Sequence, residues 1–286
     1  MSTTTDLEEI IPTEMIDTYV QAVHLPVRVG LAIAWSRPGK GSIPVRFPRW
    51  NAISVPAGTK SEGSDFNAVA PTTTESSITP GIVGFEVELT DEVMVENVGG
   101  VPASLIDSCL EQLANRLDVD VLASSTSATQ TTGTITDTFG RDNFAAALAA
   151  WRVLEVPQGG MGDALVLDHG PMADLERDMV LAVGTTAGMF AGLMNAANGY
   201  KGNVAGVEVF ESGNVAAESS GMSNFITKIG MRASGLGIVF QELPHVRPPQ
   251  RATEGERSAS TFYVFRAWYG AGLTNPNRLL EVLSAA

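Results

Sequence analysis

The sequence predicts an α+β fold, and three observations carry that prediction. Residues 101–125, VPASLIDSCLEQLANRLDVDVLASS, repeat apolar side chains at steps of three and four through Ile106, Leu110, Leu113, Leu117 and Val121, the period of an amphipathic helix. GIVGFEVELTDEVMVEN at 81–97 instead alternates apolar and polar residues through Phe85, Val87, Leu89, Val93 and Val95, as a half-buried strand does. Between Asp142 and Ala182 a helix, a short apolar strand and another helix follow one another, which is the signature of a layer of helices on a sheet.

Near the start of the chain, TEMIDTYVQAVH at 13–24 places Met15, Ile16, Tyr19, Val20 and Val23 on one helical face; Thr13 is a candidate cap and Pro26 ends the pattern. SIPVRFPRW at 42–50 reads as a strand. The stretch NAISVPAGTKSEGSDF at 51–66, continuing to about Ser77, is rich in Gly, Ser and Thr and holds no sustained period. Flanked by 42–50 and 81–97, it is expected to be the irregular tip of a long two-stranded excursion, with Pro44, Pro48 and Pro56 favouring edge positions because each lacks a ladder donor. So long an irregular connection is functional or disordered, and its Lys60, Glu62 and Asp65 serve either to solvate an exposed loop or to touch a partner.

The long helix begins after Gly99 and Gly100, with Pro102 in its first turn, where the missing N–H costs nothing. SSTSATQTTGTITDT at 124–138 reads as turns and an extended run, and it marks a crossing between domains. DNFAAALAAWRVLE follows as a helix with Phe144, Leu148 and Trp151 on one face, ended by Pro157, Gly159 and Gly160. ALVLDH is a short buried strand, and GPMADLERDMVLA a helix with Pro171 in its first turn. The segment 184–202 reads as a packed loop; strand signals return in VAGVEVFES, FITKIGMRASGLGIVFQEL and STFYVFRAWYGAGL.

Composition limits what such a fold can do. The chain has 286 residues, 44% hydrophobic and 17% charged, enough for one large or two ordinary cores. Its 18 Lys and Arg against 32 Asp and Glu give a net charge of -14, which opposes any extended grip on a phosphate backbone. The single cysteine, Cys109, lies among Leu105, Leu110 and Leu113 and reads as core. The start, MSTTTDLEEIIP, does not resemble a secretory signal, and the longest apolar run, VGLAIAW, is too short to span a bilayer, so a soluble product of the cytosol is expected.

Signals for catalysis are weak. His24, His169 and His245 stand in unrelated contexts with no second ligand at metal spacing, so no metal or cofactor is expected. Asp168 and His169 end a strand, where α/β active sites form, yet no Gly-x-Ser-x-Gly turn supplies a nucleophile and Cys109 has no evident base; the plainer reading is a structural strand end. RPGKGS at 37–42 lacks the hydroxyl residue after its Lys and the upstream Gly of a phosphate loop. GLG at 235–237 is too short for a dinucleotide site and reads as close packing within a strand.

In order, the elements are an arm, a long hairpin, a long helix after Gly-Gly, a mixed segment and long final strands. Together with GRDNFAAALAAWRVLEVPQGGMGDALVLDHGPMADLERD, VAGVEVFES, SNFITKIGMRASGLGIVF and STFYVFRAWYGAGLTNPNRLLEVLSA, this resembles the major capsid protein of tailed bacteriophages, the Hong Kong ninety-seven type of fold, over nearly the whole chain. The resemblance implies an N-terminal arm at 1–38, an extended loop at 39–90, a peripheral domain with its spine helix at 91–140, an axial domain at 141–250 and a return to the peripheral domain at 251–286. It implies a non-enzymatic shell protein of the virion, made in the host cytoplasm, that assembles with itself through hexamers and pentamers around double-stranded DNA without reading its sequence or touching a membrane. Portal and decoration proteins are implied partners. No long charged helix precedes the arm, which implies a separate scaffolding protein or none. Pro56, Lys60, Glu62, Asp65 and Phe66 become the expected inter-subunit contacts, with Lys60 a candidate for a covalent link. Gly99, Gly100, Gly133 and Gly140 are candidate hinges between non-equivalent positions. An encapsulin-type compartment shares the fold, and a hydrolase using Asp168 and His169 is the third alternative.

Overall fold

The computed structural model describes residues 29–51, 70–90, 101–154, 162–183, 200–218, 221–229, 234–247, 250–251 and 260–285. Its helices are α1 (Gly30–Ile33), α2 (Val101–Ala123), α3 (Arg141–Val153) and α4 (His169–Val183). The first strands are β1 (Trp35–Pro38), β2 (Val45–Trp50), β3 (Thr73–Ile78), β4 (Gly81–Thr90), β5 (Thr131–Gly133), β6 (Gly162–Leu167) and β7 (Tyr200–Val204). The remaining ones are β8 (Val207–Glu211), β9 (Ala217–Glu218), β10 (Gly221–Ile229), β11 (Leu236–Val246), β12 (Gln250–Arg251), β13 (Ser260–Leu273) and β14 (Leu279–Ala285).

Two large sheets take all of these strands but β2 and β3, which pair with each other. In the first, β1 runs parallel to β11, β11 and β12 pair antiparallel with β13, and β4 pairs along the other side of β13. In the second the order is β5, β14, β10, β6, β8, β7, with β9 beside β10. The helix α2, about 35 Å long at 1.5 Å per residue, contributes Cys109, Leu113, Leu117, Val121 and Leu122 to the core between the sheets. There they meet Leu236 and Ile238 of β11, Phe265 and Ala267 of β13, and Val166 and Phe225 from the second sheet.

The second sheet is buried on both faces, and its side chains divide by the alternation of a strand. Ala164, Val166, Phe225 and Phe210 face the α2 core, whereas Leu165, Leu167, Ile226 and Val209 face α3 and α4. On that side Phe144, Leu148 and Trp151 of α3 pack with Met172 and Leu175 of α4. The face of α3 is the one expected from its sequence.

One expectation needs correcting. The return strand of the hairpin is β3, TTESSI, paired with β2 from Val45↔Ile78 to Trp50↔Thr73. The strand at 81–90 pairs with β13 instead, because its partly buried Val83, Val87 and Leu89 pack against the main core. The run at 236–246 lies beside β13. The final strand pairs antiparallel with β10 from Thr227↔Leu279 to Gly221↔Ala285. These are choices of partner between distant segments, which a local period does not encode.

Candidate assembly surface

The two-stranded hairpin of β2 and β3 is seated on the first sheet. Phe47 and Ile78, 1% and 4% exposed, are buried against Val239 of β11, with Trp35 edge-on to Phe47 at 4.9 Å and 81°. Glycine makes this seat possible: Gly237 and Gly272 are paired across β11 and β13, and a Cβ at Gly237 would meet Ile78 at 3.2 Å and Phe47 at 3.6 Å as well as Thr274. A Cβ at Gly270 would lie 2.6 Å from the carbonyl oxygen of Thr79. Close packing thus holds for both glycines of GLG: Gly237 against Thr274 and the hairpin, and Gly235 against the Arg278 carbonyl, 2.7 Å from where a Cβ would stand.

The far end of the hairpin is tied as well. The Asn51 backbone N–H donates to the Thr72 carbonyl at 2.9 Å, its amide donates to the Thr72 hydroxyl at 2.9 Å, and the Thr74 hydroxyl donates back to Asn51 at 2.7 Å. Arg49 reaches Asn275 at 2.9 Å, joining the hairpin to the turn before β14. The tip residues Pro56, Lys60, Glu62, Asp65 and Phe66 lie outside the described residues. Among the described residues, Ile43, Ile82, Phe85, Val153 and Leu243 are large apolar side chains on the surface, two of them on the outer strand β4.

The first described residues, from Val29, are held by a residue that the sequence reading missed. Asp118 of α2 is fully buried; one carboxylate oxygen accepts the Gly30 backbone N–H at 2.7 Å, and the other accepts the Asn214 amide at 2.9 Å. Burial pushes its carboxyl above the ordinary value, while the hydrogen bonds from Asn214 and from the backbone of Gly30, Leu31 and Val29 pull it back. The available signal was an acidic residue three and four positions before Val121 and Leu122, on a face that must be buried.

Two more buried polar groups tie strand to strand. Asn224 of β10 accepts the Asp168 backbone N–H at 3.0 Å and donates to Ser284 at 2.9 Å. Glu281 of β14 is hydrogen-bonded by Ser223 and, at 3.2 Å, by Thr131.

Asp168 and His169 do separate structural work. Asp168 precedes α4: its carbonyl accepts the Met172 N–H at 3.0 Å, and its carboxylate reaches the Gly170 N–H at 3.4 Å, the geometry of a helix cap. His169 is largely exposed and pairs through Nδ1 with Glu211, which Lys201 also binds. Burial acts to raise the Glu211 carboxyl, but the bonds and charges of Lys201 and His169 outweigh it, so that it lies below its ordinary value. His245 sits with Arg266 at 3.4 Å, and Arg266 holds Glu242 at 2.7 Å; His24 lies outside the described residues. Cys109 is buried and unbridged, and burial raises its thiol. Among the described residues no group of three or more His, Cys, Asp or Glu is placed to hold a metal ion, and no helix is long and apolar enough to cross a membrane.

Of the candidate hinge glycines, Gly133 has φ +79 and lies so close to the Leu283 carbonyl that a Cβ would collide with it; a Cβ at Gly140 would lie 2.8 Å from Asp178. Close packing accounts for both. Gly99 and Gly100 lie outside the described residues.

A two-sheet fold with a long helix between the sheets and a hairpin rooted on one of them is an architecture with solved counterparts. The chain is similar to the capsid of cyanophage P-SCSP1u, at 15% identity and TM-score 0.66, over 92% of this chain and 90% of that one. It is similar to a structure from Gordonia phage Cozz, at 12% identity and TM-score 0.67, over 92% and 88%. The head structure of Helicobacter pylori bacteriophage KHP40 matches at 10% identity and TM-score 0.63, over 92% of each chain. No family model and no curated protein sequence matches. The chain thus has the fold of the tailed-phage major capsid proteins, the Hong Kong ninety-seven type.

Proposed function

We propose that this chain is the major capsid protein of a tailed phage, which assembles with itself through hexamers and pentamers into the icosahedral shell of the virion. The observation that carries this is the match in fold over about nine-tenths of both chains to the cyanophage capsid. The spent side chains agree with it: Asp168 caps a helix and His169 serves an ion pair, so neither is offered to a substrate. A net charge of -14 suits a wall that encloses double-stranded DNA without gripping it.

In this reading α2 with the sheet of β1, β4 and β11–β13 is the peripheral domain. The sheet of β5–β10 and β14, with α3 and α4, is the axial domain expected at 141–250, which then draws one strand from each flank. The hairpin carries Pro56, Lys60, Glu62, Asp65 and Phe66 onto a neighbouring subunit. A separate scaffolding protein, a portal and decoration proteins are further partners of the proposal.

Expression of the chain, alone and with candidate scaffolding proteins, followed by size exclusion and negative-stain microscopy, tests it. Closed shells or rings of five or six subunits support the proposal; a lasting monomer in every combination overturns it. Shells that fill with a protein cargo instead of DNA during infection-like packaging assays would point to the encapsulin alternative.

A further inference from the structure

An apolar groove of about 360 Å³ opens beside α2, lined by Leu31 of α1, Leu110 and Leu117 of α2, and Phe240, Leu243 and Pro244 of β11. Leu243 is 66% exposed and Leu31 38%, and Glu111 is the one charged residue on the lining. With no cation in its lining and little polarity, the groove suits an apolar helix face and neither nucleic acid nor an acidic peptide.

We propose that residues 13–24 of the same chain occupy this groove, laying Ile16, Tyr19, Val20 and Val23 against Leu31, Leu110 and Leu243. These residues lie outside the described part of the chain. Three observations select them. The described chain begins at Val29, and Leu31, two residues on, is itself part of the groove wall, so the arm leaves from the rim. Asp118 fixes that point of departure by holding the Gly30 N–H to α2. The five residues 24–28 separate Val23 from Val29 and span at most about 18 Å when extended, so the apolar face of 13–24 is confined near the groove. Tethering on so short a connection gives an effective concentration on the order of millimolar, which favours the chain's own segment over one from another copy. The i, i+3, i+4, i+7 spacing of Ile16, Tyr19, Val20 and Val23 matches the way a helix anchors in a groove.

The test is a cysteine pair, Ile16→Cys with Leu243→Cys, in full-length chain carrying Cys109→Ala. Isotopically heavy and light subunits are mixed before assembly, joined by a short bis-thiol reagent and digested for mass spectrometry. The expected result is cross-linked peptides of matched isotope, heavy with heavy and light with light. Heavy–light pairs at the statistical proportion would overturn the proposal in favour of a neighbour's arm, and absence of the cross-link in a folded chain would overturn it outright. Leu243→Glu with Cys109 retained gives a second readout at an exposed site. Amide exchange across 13–24 should speed by about tenfold or more as the apolar seat is lost, with exchange in β6 unchanged; unaltered exchange across 13–24 would also overturn the proposal.

Discussion

Asp118 shows how much one side chain can hold. Its two oxygens join α2 to the root of the arm and to Asn214, so Asp118→Ala strands a buried N–H and a buried amide together. The expected cost is about 2–3 kcal/mol in urea denaturation. The pH dependence has a definite sign. A carboxyl raised above its ordinary value of 3.8 binds its proton more tightly in the folded chain, so its contribution to stability declines as pH rises from that value through the folded one. Glu211 behaves oppositely: held below its ordinary value of 4.5, it stabilises the chain above that pH and loses the contribution as acid takes the pH below it. Glu211→Gln should therefore narrow the stability gap between neutral and acid solution, measured by thermal unfolding; an unchanged gap would remove the Lys201 and His169 contacts from the account. Asp168→Ala should cost about 1 kcal/mol as a lost cap, while His169→Ala, at an exposed position, should cost distinctly less. Denaturation curves of the two variants check that order. The strand end at Asp168 was legible as structural, but the partners were not, because Gly30 and Asn214 reach Asp118, and Asn224 reaches Asp168, from far along the chain.

At the scale of elements, local periodicity carried the prediction well. The helices at 101–123, 141–153 and 169–183 and the long strand at 260–273 all stand where the sequence pattern puts them. Partner choice was the part left unread. TTESSI holds only one apolar residue, Ile78, and its strand conformation comes from pairing with β2 and from seating that residue beside Phe47. The clue lay in Gly237, Gly270 and Gly272, which leave a side-chain-free patch where another strand must approach. Phe47→Ala should cost about 3–4 kcal/mol, as a large aromatic lost from a buried site does, and should loosen the hairpin before the sheets. Faster amide exchange in β2 and β3 than in β6 and β10 is the expected pattern. Deleting Pro56 to Asp65, beyond the Asn51 and Thr72 ties, should leave the unfolding temperature of the subunit nearly unchanged and impair assembly. Normal shells from that deletion would count against the loop's proposed role.

Among the described residues, one core lies between the two sheets and α2 and a second between the second sheet and α3 and α4, while the β2–β3 hairpin and the apolar-studded edge strand β4 lie outside them. This division suits a subunit that is stable by itself and completes its contacts only in a closed, repeated assembly. The sequence allowed that reading through element order, but the sharing of β11 and β14 between sheets required the structure. The most direct measurement is a cryo-electron microscopy reconstruction of particles formed by the full chain, alone or with a candidate scaffolding protein. The account predicts a closed icosahedral shell of hexamers and pentamers, with the 56–66 tip of each hairpin against a neighbouring subunit. Particles without closed symmetry, or a shell in which every tip contacts only its own subunit, would contradict it.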